Sequence, residues 1–409
     1  MRSDIILFMT TLAPDRLIDH LRPCISRERL VETAIALIDV PSKTGEAGAV
    51  SDRLAAILSK DGFKVERPTG GYDKAPAVAV RLETERPGRT LQFDGHLDTV
   101  HLPFVVSGVK DGLITGSGAS DMKSGIAAAV EAIRALRDSG LLTGGSILLT
   151  AHDLHESPWG DGRQLDSLIR EGYVGDAVLL PEPLRGILPV IGRGVAIWKA
   201  TIRREGTPVH EVMRPRDEPS VISAAGTLIR EIDRLGMVLA AEPDTFSAGD
   251  VHPGKASVFI GQLHSGEIYN QYPQICFLEG TRRWLPGTDR FEVEREFRKL
   301  IQTVARQSKC EIDLTWSFTR DSFFLDQSDP LIPAFQVNYK AITGSALPLG
   351  PKPFVDDGNS FWAIARVPAI THGPRAGGQH TLEEWVSIDD LVRVAIQYAA
   401  TAVTYCGNE

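Results

Sequence analysis

The chain has 409 residues, which is too long for one hydrophobic core and suits two domains. Its composition, 43% hydrophobic and 24% charged, is that of an ordinary soluble protein, and its net charge of −9 argues against a nucleic-acid partner. No apolar run approaches the roughly 20 residues of a membrane span, and the apolar stretch at residues 5–9 is shorter than a signal-peptide core of about 7–15 residues. The four cysteines are far apart, which favours free thiols. These features together predict a cytoplasmic protein with no membrane association.

The first part of the chain alternates helical and strand patterns. Helices are predicted at residues 26–40, 49–62, 121–136 and 165–170, and short apolar strands at residues 77–82, 90–93, 146–151 and 177–180. Alternation of helices with buried strands predicts an α/β fold, in which a mixed sheet is sandwiched by helices.

The pattern changes near Gly192. Strands at residues 195–203, 256–262, 274–279 and 311–318 and helices at residues 221–235 and 291–304 follow a β-α-β-β-α-β order. This order predicts an inserted α+β domain with a ferredoxin-like arrangement. Because α/β character returns at about residue 331, we expect one domain, formed by residues 1–192 and 319–409, to be interrupted by a second at residues 193–318.

Carboxylate and imidazole side chains in five separate segments together predict a metal site. They are His96 and Asp98 in FDGHLDTV, Asp121 in GSGASDMKSG, Glu156 in HDLHESPWGDG, Glu182 in LLPEPLRG and His380 in GGQHTLEEW. Divalent zinc, cobalt and manganese prefer such ligands. His96 follows an apolar strand, and ligand sites in α/β sheets lie at the carboxyl ends of strands. Asp98 is close enough in sequence for its carboxylate to orient the ring of His96.

These segments resemble, one by one, the motifs of the aminoacylase, succinyl-diaminopimelate desuccinylase and glutamate carboxypeptidase family of dinuclear zinc metallohydrolases, peptidase family M20. The resemblance extends from about residue 26 to the C-terminus. It implies that His96, Asp121 and Glu182 hold one ion, that Asp121, Glu156 and His380 hold another, and that Asp121 bridges them. One or two ions per subunit are expected, zinc first, with manganese or cobalt as alternatives. It also implies a cis peptide bond after Asp121.

His155 departs from the family pattern, which has a glutamate base immediately before the metal-binding glutamate. Three interpretations stay open. His155 acts as the base, because a neutral imidazole accepts a proton. Alternatively His155 is itself a metal ligand. In the third interpretation the base is lost, or has moved to Asp153 or His152.

The resemblance assigns roles to the inserted domain as well, as a lid and dimerisation domain. His210 in GTPVHE resembles the lid histidine that reaches the active site of a partner subunit and stabilises the oxyanion. Asn270 in YNQYP and Arg283 in RRWLPG resemble residues that bind a substrate carboxylate, although Arg282 is an alternative to Arg283. A homodimer or dimer-based oligomer is therefore expected. The segment VDDGNSFW, which contains Asp357, resembles a substrate-pocket loop but equally fits an Asp-Gly turn.

The predicted function is metal-dependent hydrolysis of a C–N amide bond in a small carboxylate-bearing molecule, such as an N-acyl amino acid or a dipeptide-like amide. Two neighbouring cations lower the pKa of water toward about 7 and polarise a carbonyl. An alternative is hydrolytic deamination of an aromatic amine carboxylate, as in nitroanthranilate aminohydrolase. A non-catalytic, ligand-binding relative is a third hypothesis.

Overall fold

A computed structural model describes residues 12–158, 160–214, 216–243 and 246–407, so the apolar stretch at residues 5–9 lies outside the described residues. The chain divides into two compact units. Unit 1 comprises the chain up to Val190, Phe324–Gly350 and the chain from Asp356 onward, and unit 2 comprises Ile191–Phe323 and Pro351–Val355. The predicted domain boundaries stay predictions, because a compact unit is not proof of a domain that folds independently.

The helices of the described residues are α1 (Pro14–Leu21), α2 (Arg27–Ile38), α3 (Gly48–Lys60), α4 (Lys123–Ser139), α5 (Arg163–Arg170), α6 (Val221–Ala241), α7 (Arg290–Ser308), α8 (Leu331–Thr343), α9 (Asp357–Ala365) and α10 (Ile388–Cys406). The strands are β1 (Val65–Glu66), β2 (Val78–Glu83), β3 (Thr90–His96), β4 (Gly108–Lys110), β5 (Leu113–Thr115), β6 (Ser146–His152), β7 (Ala177–Leu180), β8 (Leu188–Gly192), β9 (Gly194–Arg203), β10 (Val209–His210), β11 (Ser257–Ser265), β12 (Gln271–Tyr272), β13 (Ile275–Trp284), β14 (Glu311–Arg320), β15 (Phe323–Phe324), β16 (Leu349–Lys352), β17 (Ala369–Thr371), β18 (Ala376–Gly377) and β19 (Trp385–Ser387).

The main sheet of unit 1 has the order β1-β2-β6-β3-β7-β17. Strands β6, β3, β7 and β17 run parallel to one another, whereas β2 is antiparallel to β6 and β1 is antiparallel to β2. Helix α4 packs against α2 and α10, and it is buried along almost its whole length. The mixed sheet with helices confirms the predicted α/β class.

A smaller antiparallel sheet, in the order β18-β19-β5-β4, brings two loops of unit 1 together. Strand β19 pairs with β5, so the loop before β19 lies beside the loop that follows β5. The carboxylate of Glu384 accepts hydrogen bonds from the backbone N–H groups of Gly118, Ser120 and Asp121. The loop that carries His380 is thereby tied to the loop that carries Asp121.

Unit 2 is built on a four-stranded antiparallel sheet in the order β11-β13-β9-β14. Helices α6 and α7 pack on this sheet around a core that includes Trp198, Leu278 and Phe297. The β-α-β-β-α-β order confirms the predicted ferredoxin-like unit. Within the described residues of both units, every helix is too short or too polar to span a bilayer.

Candidate metal centre

The ends of three neighbouring parallel strands bring the first part of the site together. His96 is the last residue of β3, His152 is the last residue of β6, and Glu182 lies two residues after β7. Since β6, β3 and β7 are adjacent and parallel, these ends meet at one edge of the sheet. Asp121 approaches from the loop before α4, and the Asp121–Met122 peptide bond is cis, as the sequence resemblance implied.

Asp121 is the centre of the arrangement, because its two carboxylate oxygens face different histidines. Its Oδ1 lies 3.2 Å from Nε2 of His96, and its Oδ2 lies 3.4 Å from Nε2 of His380. Nε2 of His96 is also 3.6 Å from Oε1 of Glu182, and Nε2 of His380 is 3.1 Å from Oε1 of Glu156. The five predicted ligands therefore form two groups that share one carboxylate.

The donor set fits divalent cations. Two atoms that each bind a tetrahedral cation at about 2.0–2.1 Å lie about 3.3 Å apart, which is close to the distances within each group. Ligand atoms of His96, Asp121 and Glu156 lie within 4.8 Å of one another, and so do those of His96, His155 and Glu182. Imidazole nitrogens and carboxylate oxygens at this spacing suit zinc, cobalt or manganese.

Without a cation, protons balance the clustered carboxylates. Hydrogen bonds to Asp121 and Glu156 raise the pKa of His380 to about 10. Burial and repulsion from Asp121 raise the pKa of Glu182 to about 7. Burial opposes ionisation of Asp121, but the hydrogen bonds from His380 and His96 outweigh it and lower the pKa of Asp121. The carboxylate of Asp121, which lies between His96 and His380, is therefore ionised.

The position of Asp98 differs from the expectation that its carboxylate orients His96. Nδ1 of His96 lies 3.0 Å from the backbone carbonyl of Asp98 and 3.6 Å from its Oδ1. The Asp98 carboxylate instead accepts hydrogen bonds from the backbone N–H groups of His155, at 3.1 Å, and Glu156, at 2.8 Å, and from the hydroxyl of Thr44. Asp98 thus fixes the backbone that carries His155 and Glu156, while its carbonyl fixes the ring of His96.

His155 lies beside the first ligand group. Its ring stacks on the ring of His96, with centroids 4.0 Å apart and an interplanar angle of 11°. Its Nε2 is 3.8 Å from Oε1 of Glu182, and its Nδ1 is 2.9 Å from Oδ1 of Asp357. The ring therefore presents one nitrogen to the candidate ligands and the other to a buried carboxylate.

Asp94 was not predicted as functional from the sequence. His152 was named only as an alternative position for the base, and Asp357 only as part of a segment that resembles a substrate-pocket loop. Asp94 and His152 are buried in β3 and β6, and Nε2 of His152 lies 3.2 Å from Oδ2 of Asp357. The sequence carried a signal for them. Polar residues alternate along β3, at Gln92, Asp94 and His96, where a central parallel strand is normally apolar.

The predicted lid residues lie in unit 2. Strands β10 and β12 pair His210 with Gln271, which brings Asn270 within 2.9 Å of Nε2 of His210. Nδ1 of His210 lies 2.9 Å from Oε2 of Glu211. Both ring nitrogens of this exposed histidine therefore already face side chains of unit 2.

The two neighbouring arginines of β13 differ in their surroundings. Arg282 is buried, lies 3.2 Å from Oε2 of Glu296 and donates to the carbonyl of Arg283. Arg283 has no side-chain partner among the described residues, and burial and the nearby Arg193 lower its pKa. Arg283 is therefore the guanidinium that is free to bind an anion.

Comparison with known proteins places this site in a family. The family model described as Peptidase family M20/M25/M40 matches residues 93–404. The succinyl-diaminopimelate desuccinylase of Methylobacterium radiotolerans is 27% identical over 410 residues, which cover 95% of this chain and 98% of that protein. The aminopeptidase PepT of Bacillus cereus superposes with a TM-score of 0.75 at 20% identity, over 93% of this chain and 99% of that chain. Human carnosine dipeptidase 1 superposes with a TM-score of 0.74 at 14% identity, over 97% and 100% of the two chains.

The family match spans well over half of the chain and includes the strand-end, loop and C-terminal segments that carry the candidate ligands. The structural likenesses extend over almost the whole chain and show the fold. The chain belongs to peptidase family M20/M25/M40 and is an amidohydrolase.

Proposed function

We propose that this amidohydrolase cleaves a C–N amide bond in a small carboxylate-bearing molecule, such as an N-acyl amino acid or a dipeptide-like amide. One observation carries the metal-dependent chemistry: the two oxygens of Asp121 face two different imidazoles, those of His96 and His380. The similar proteins are named for a succinylated diamino acid, for aminopeptidase activity and for a dipeptide, which supports an amide substrate of this size.

Five side chains would hold two divalent cations. His96, Glu182 and one oxygen of Asp121 suit the first, and His380, Glu156 and the other oxygen of Asp121 suit the second. Zinc fits this mixture of nitrogen and oxygen ligands first, followed by manganese or cobalt. When bound, such cations lower the pKa of water and polarise a substrate carbonyl.

His155 is the proposed proton acceptor. Because its Nδ1 faces the carboxylate of Asp357, a proton on Nδ1 leaves Nε2 unprotonated and directed toward the ligand groups. Nε2 would accept a proton from water as the water attacks the amide carbon, and would return it to the leaving amine. Asp98 supports this step, because it fixes the backbone at His155 and Glu156.

Unit 2 would supply substrate binding. The free guanidinium of Arg283 suits a substrate carboxylate, since its planar fork forms two parallel hydrogen bonds. His210 would stabilise negative charge that develops on the carbonyl oxygen, with Asn270 fixing its ring. We propose that the protein forms a homodimer, in which His210 of one subunit reaches the active site of the other subunit.

The dimer proposal is supported by exposed apolar side chains at the sheet edge and on helix α6 of unit 2. Strand β11 is at the edge of its sheet, and Phe259 and Leu263 on it are 63% and 47% exposed. On α6, which packs against β11, Met237 is 73% exposed. An unprotected edge with apolar side chains is a typical site of strand pairing with a second copy.

The catalytic proposal is tested with metal-loaded protein and two substrate sets. We expect amine release from N-acyl amino acids and no ammonia release from aminobenzoates, and the reverse result would favour the aromatic deaminase. Metal analysis after dialysis should find two ions per chain in the wild type and fewer in His96→Ala and His380→Ala. The exposed His20→Ala serves as the matched control. A metal-free wild type that retains activity would refute the proposal.

The His155→Ala variant tests the proton acceptor. General-base removal should lower kcat by about 10²- to 10⁴-fold and leave the metal content unchanged. Loss of a metal ion together with activity would instead make His155 a ligand. Retention of most of the wild-type kcat would exclude it as the proton acceptor.

Arg283 and the dimer have separate tests. Arg283→Ala and Arg283→Lys should both raise KM, because neither keeps a bidentate contact, whereas the exposed Arg295→Ala on α7 should not.

In analytical ultracentrifugation, Phe259→Glu with Leu263→Lys should convert a dimer into a monomer. A monomeric wild type would contradict the dimer. We also propose a cytoplasmic location, which the four unpaired cysteines support.

A further inference from the structure

The interior of the main sheet contains a row of polar side chains that the ligand set does not explain. Side chains alternate between faces along a strand, so Gln92, Asp94 and His96 of β3 lie on one face. In the parallel register, Asp94 is opposite Thr150 and His96 is opposite His152. These residues are between 0% and 1% exposed. Burying polar groups in a sheet is costly unless they have partners, so the row calls for a physical reason.

The row forms a continuous chain of contacts that leads to the site. Gln92 donates to the hydroxyl of Thr150 at 2.6 Å, and this hydroxyl donates to Oδ1 of Asp94 at 2.5 Å. Oδ2 of Asp94 lies 3.5 Å from Nε2 of His152. From His152 the contacts continue to Asp357 and end at His155. The row therefore connects the sheet interior to the ring that faces the candidate ligands.

His152 is held between acceptors on every side. Its Nδ1 lies 3.1 Å from the backbone carbonyl of Asp153, which only accepts. Its Nε2 lies between two carboxylate oxygens, 3.2 Å from Asp357 and 3.5 Å from Asp94. Burial alone would lower the pKa of His152, but Asp357 and Asp94 raise it well above the usual range. A doubly protonated ring has one N–H group for the carbonyl of Asp153 and one that lies between the two carboxylates, whose negative charge the ring offsets.

Asp357 uses its two oxygens for two different histidines. Oδ2 faces Nε2 of His152, and Oδ1 faces Nδ1 of His155 at 2.9 Å. An ionised carboxylate only accepts, so the hydrogen on the His155 ring is drawn to Nδ1 and the lone pair is left on Nε2. Asp357 in turn is held by the charge of His152, at the first turn of α9.

We propose that Asp94, His152 and Asp357 form a buried positioning relay that fixes the ring of His155, with Nδ1 protonated toward Asp357 and Nε2 presented to the metal centre. This inference rests on the proposed function, in which His155 accepts the proton. A carboxylate base has two equivalent oxygens, whereas an imidazole accepts a proton only at the nitrogen that lacks one. A histidine in this position therefore requires a second group that selects its tautomer, and the relay supplies it.

The first test compares two adjacent buried acids. Asp357→Asn has one oxygen for two N–H donors, so it should lower kcat by about 10- to 100-fold with little change in KM or metal content. Asp356→Asn is the matched control. The carboxylate of Asp356 accepts from the backbone N–H of Gly358 and from the hydroxyl of Thr371. Equal losses of kcat and of thermal stability in both variants would mean that Asp357 is merely structural, which overturns the relay.

The second test observes the tautomer directly, without an activity assay. In zinc-loaded protein with ¹⁵N-labelled histidine rings, NMR should show His155 protonated at Nδ1, and the Asp357→Asn variant should shift the proton toward Nε2. Signals are assigned by their loss in His155→Ala and His152→Gln. A ring of His152 with both nitrogens protonated above neutral pH is also expected. A wild-type His155 protonated at Nε2 would overturn the relay.

The remaining outcomes separate this inference from the proposed function. If His155→Ala retains kcat while the tautomer is as expected, the proton-acceptor role fails and the relay loses its catalytic purpose. If the tautomer shifts in Asp357→Asn but kcat does not fall, the relay is overturned and the proposed function stands. A third metal ion that is lost in His152→Gln would show that the cluster binds a cation, and would also overturn the relay.

Discussion

His372 gives a quantitative prediction about stability in acid. Its side chain is buried beside α8, where it makes edge contacts with the rings of Phe335 and Tyr339. Its Nε2 lies 3.4 Å from a guanidinium nitrogen of Arg393, and its Nδ1 has no hydrogen-bond partner among the described residues. Burial and the positive charge of Arg393 lower the pKa of His372 to about 3.

The sign and size of the effect follow from this pKa. In the unfolded chain the imidazole titrates at its ordinary value of 6.5, so between pH 6.5 and about 3 the unfolded state binds a proton that the folded state does not. Above pH 6.5 the titration of His372 therefore does not change the free energy of unfolding. Below pH 6.5 it progressively lowers that free energy as the pH falls. At about pH 5 the loss in the free energy of unfolding is about 2 kcal/mol.

The assay compares thermal midpoints at about pH 8 and pH 5 in the wild type and in His372→Phe. A difference of about 2 kcal/mol corresponds to roughly 4–8 °C in a unit of this size, so the drop in the midpoint should be smaller in the variant by that amount. A general loss of packing in the variant cancels, because only the change with pH is compared. The exposed His20→Gln is the control. Equal drops in wild type and His372→Phe would refute the reasoning.

Three further predictions follow from other contacts. His155→Glu should lower kcat, because a carboxylate at this position repels Asp357. Adding Asp357→Asn should recover about tenfold or more in kcat, the opposite of its effect in the wild type, and kinetics of the wild type and the three variants measure this. In α4, a Cβ on Gly125 would lie 2.1 Å from the carbonyl oxygen of Pro181, so Gly125→Ala should lower the free energy of unfolding by about 1–3 kcal/mol. In α6, a Cβ on Gly236 would meet its nearest atom at 3.6 Å, so Gly236→Ala should raise the free energy of unfolding by about 0.5–1 kcal/mol. Urea unfolding of both variants distinguishes the two signs. Chelation should abolish activity and lower the thermal midpoint, and metal at about 100 times its Kd should restore about 2.7 kcal/mol; an unchanged midpoint in scanning fluorimetry would contradict a site that binds metal only when folded.

The sequence predicted the architecture well because local patterns carry it. The alternation of helices and apolar strands in unit 1, and the β-α-β-β-α-β order of unit 2, depend on periodicity that short segments reveal. The strand-end position of His96 followed from the same patterns. The grouping of His96 with His380 around Asp121 did not, and only the resemblance of the motifs anticipated it.

The relay to His155 was beyond sequence reasoning for a physical reason. His155 and Asp357 are 202 positions apart, and their contact depends on how α9 begins relative to the end of β6. The position of Asp98 shows the same limit on a shorter scale. Two residues of spacing allowed its carboxylate to reach His96, but the neighbouring backbone amides of His155 and Glu156 offered it better donors.

The hydrogen bonds between the carboxylate of Glu384 and the backbone before α4 have a consequence for how active relatives of this protein are recognised. Its carboxylate accepts from Ser120 and Asp121, and burial raises its pKa to about 7. These hydrogen bonds join the loop that carries Asp121 to the loop that carries His380. On the proposed ligand assignment, a homologous chain that retains every ligand but lacks an acid at this position should bind the second cation more weakly. An inventory of ligands alone would then overstate how many such sequences are active enzymes.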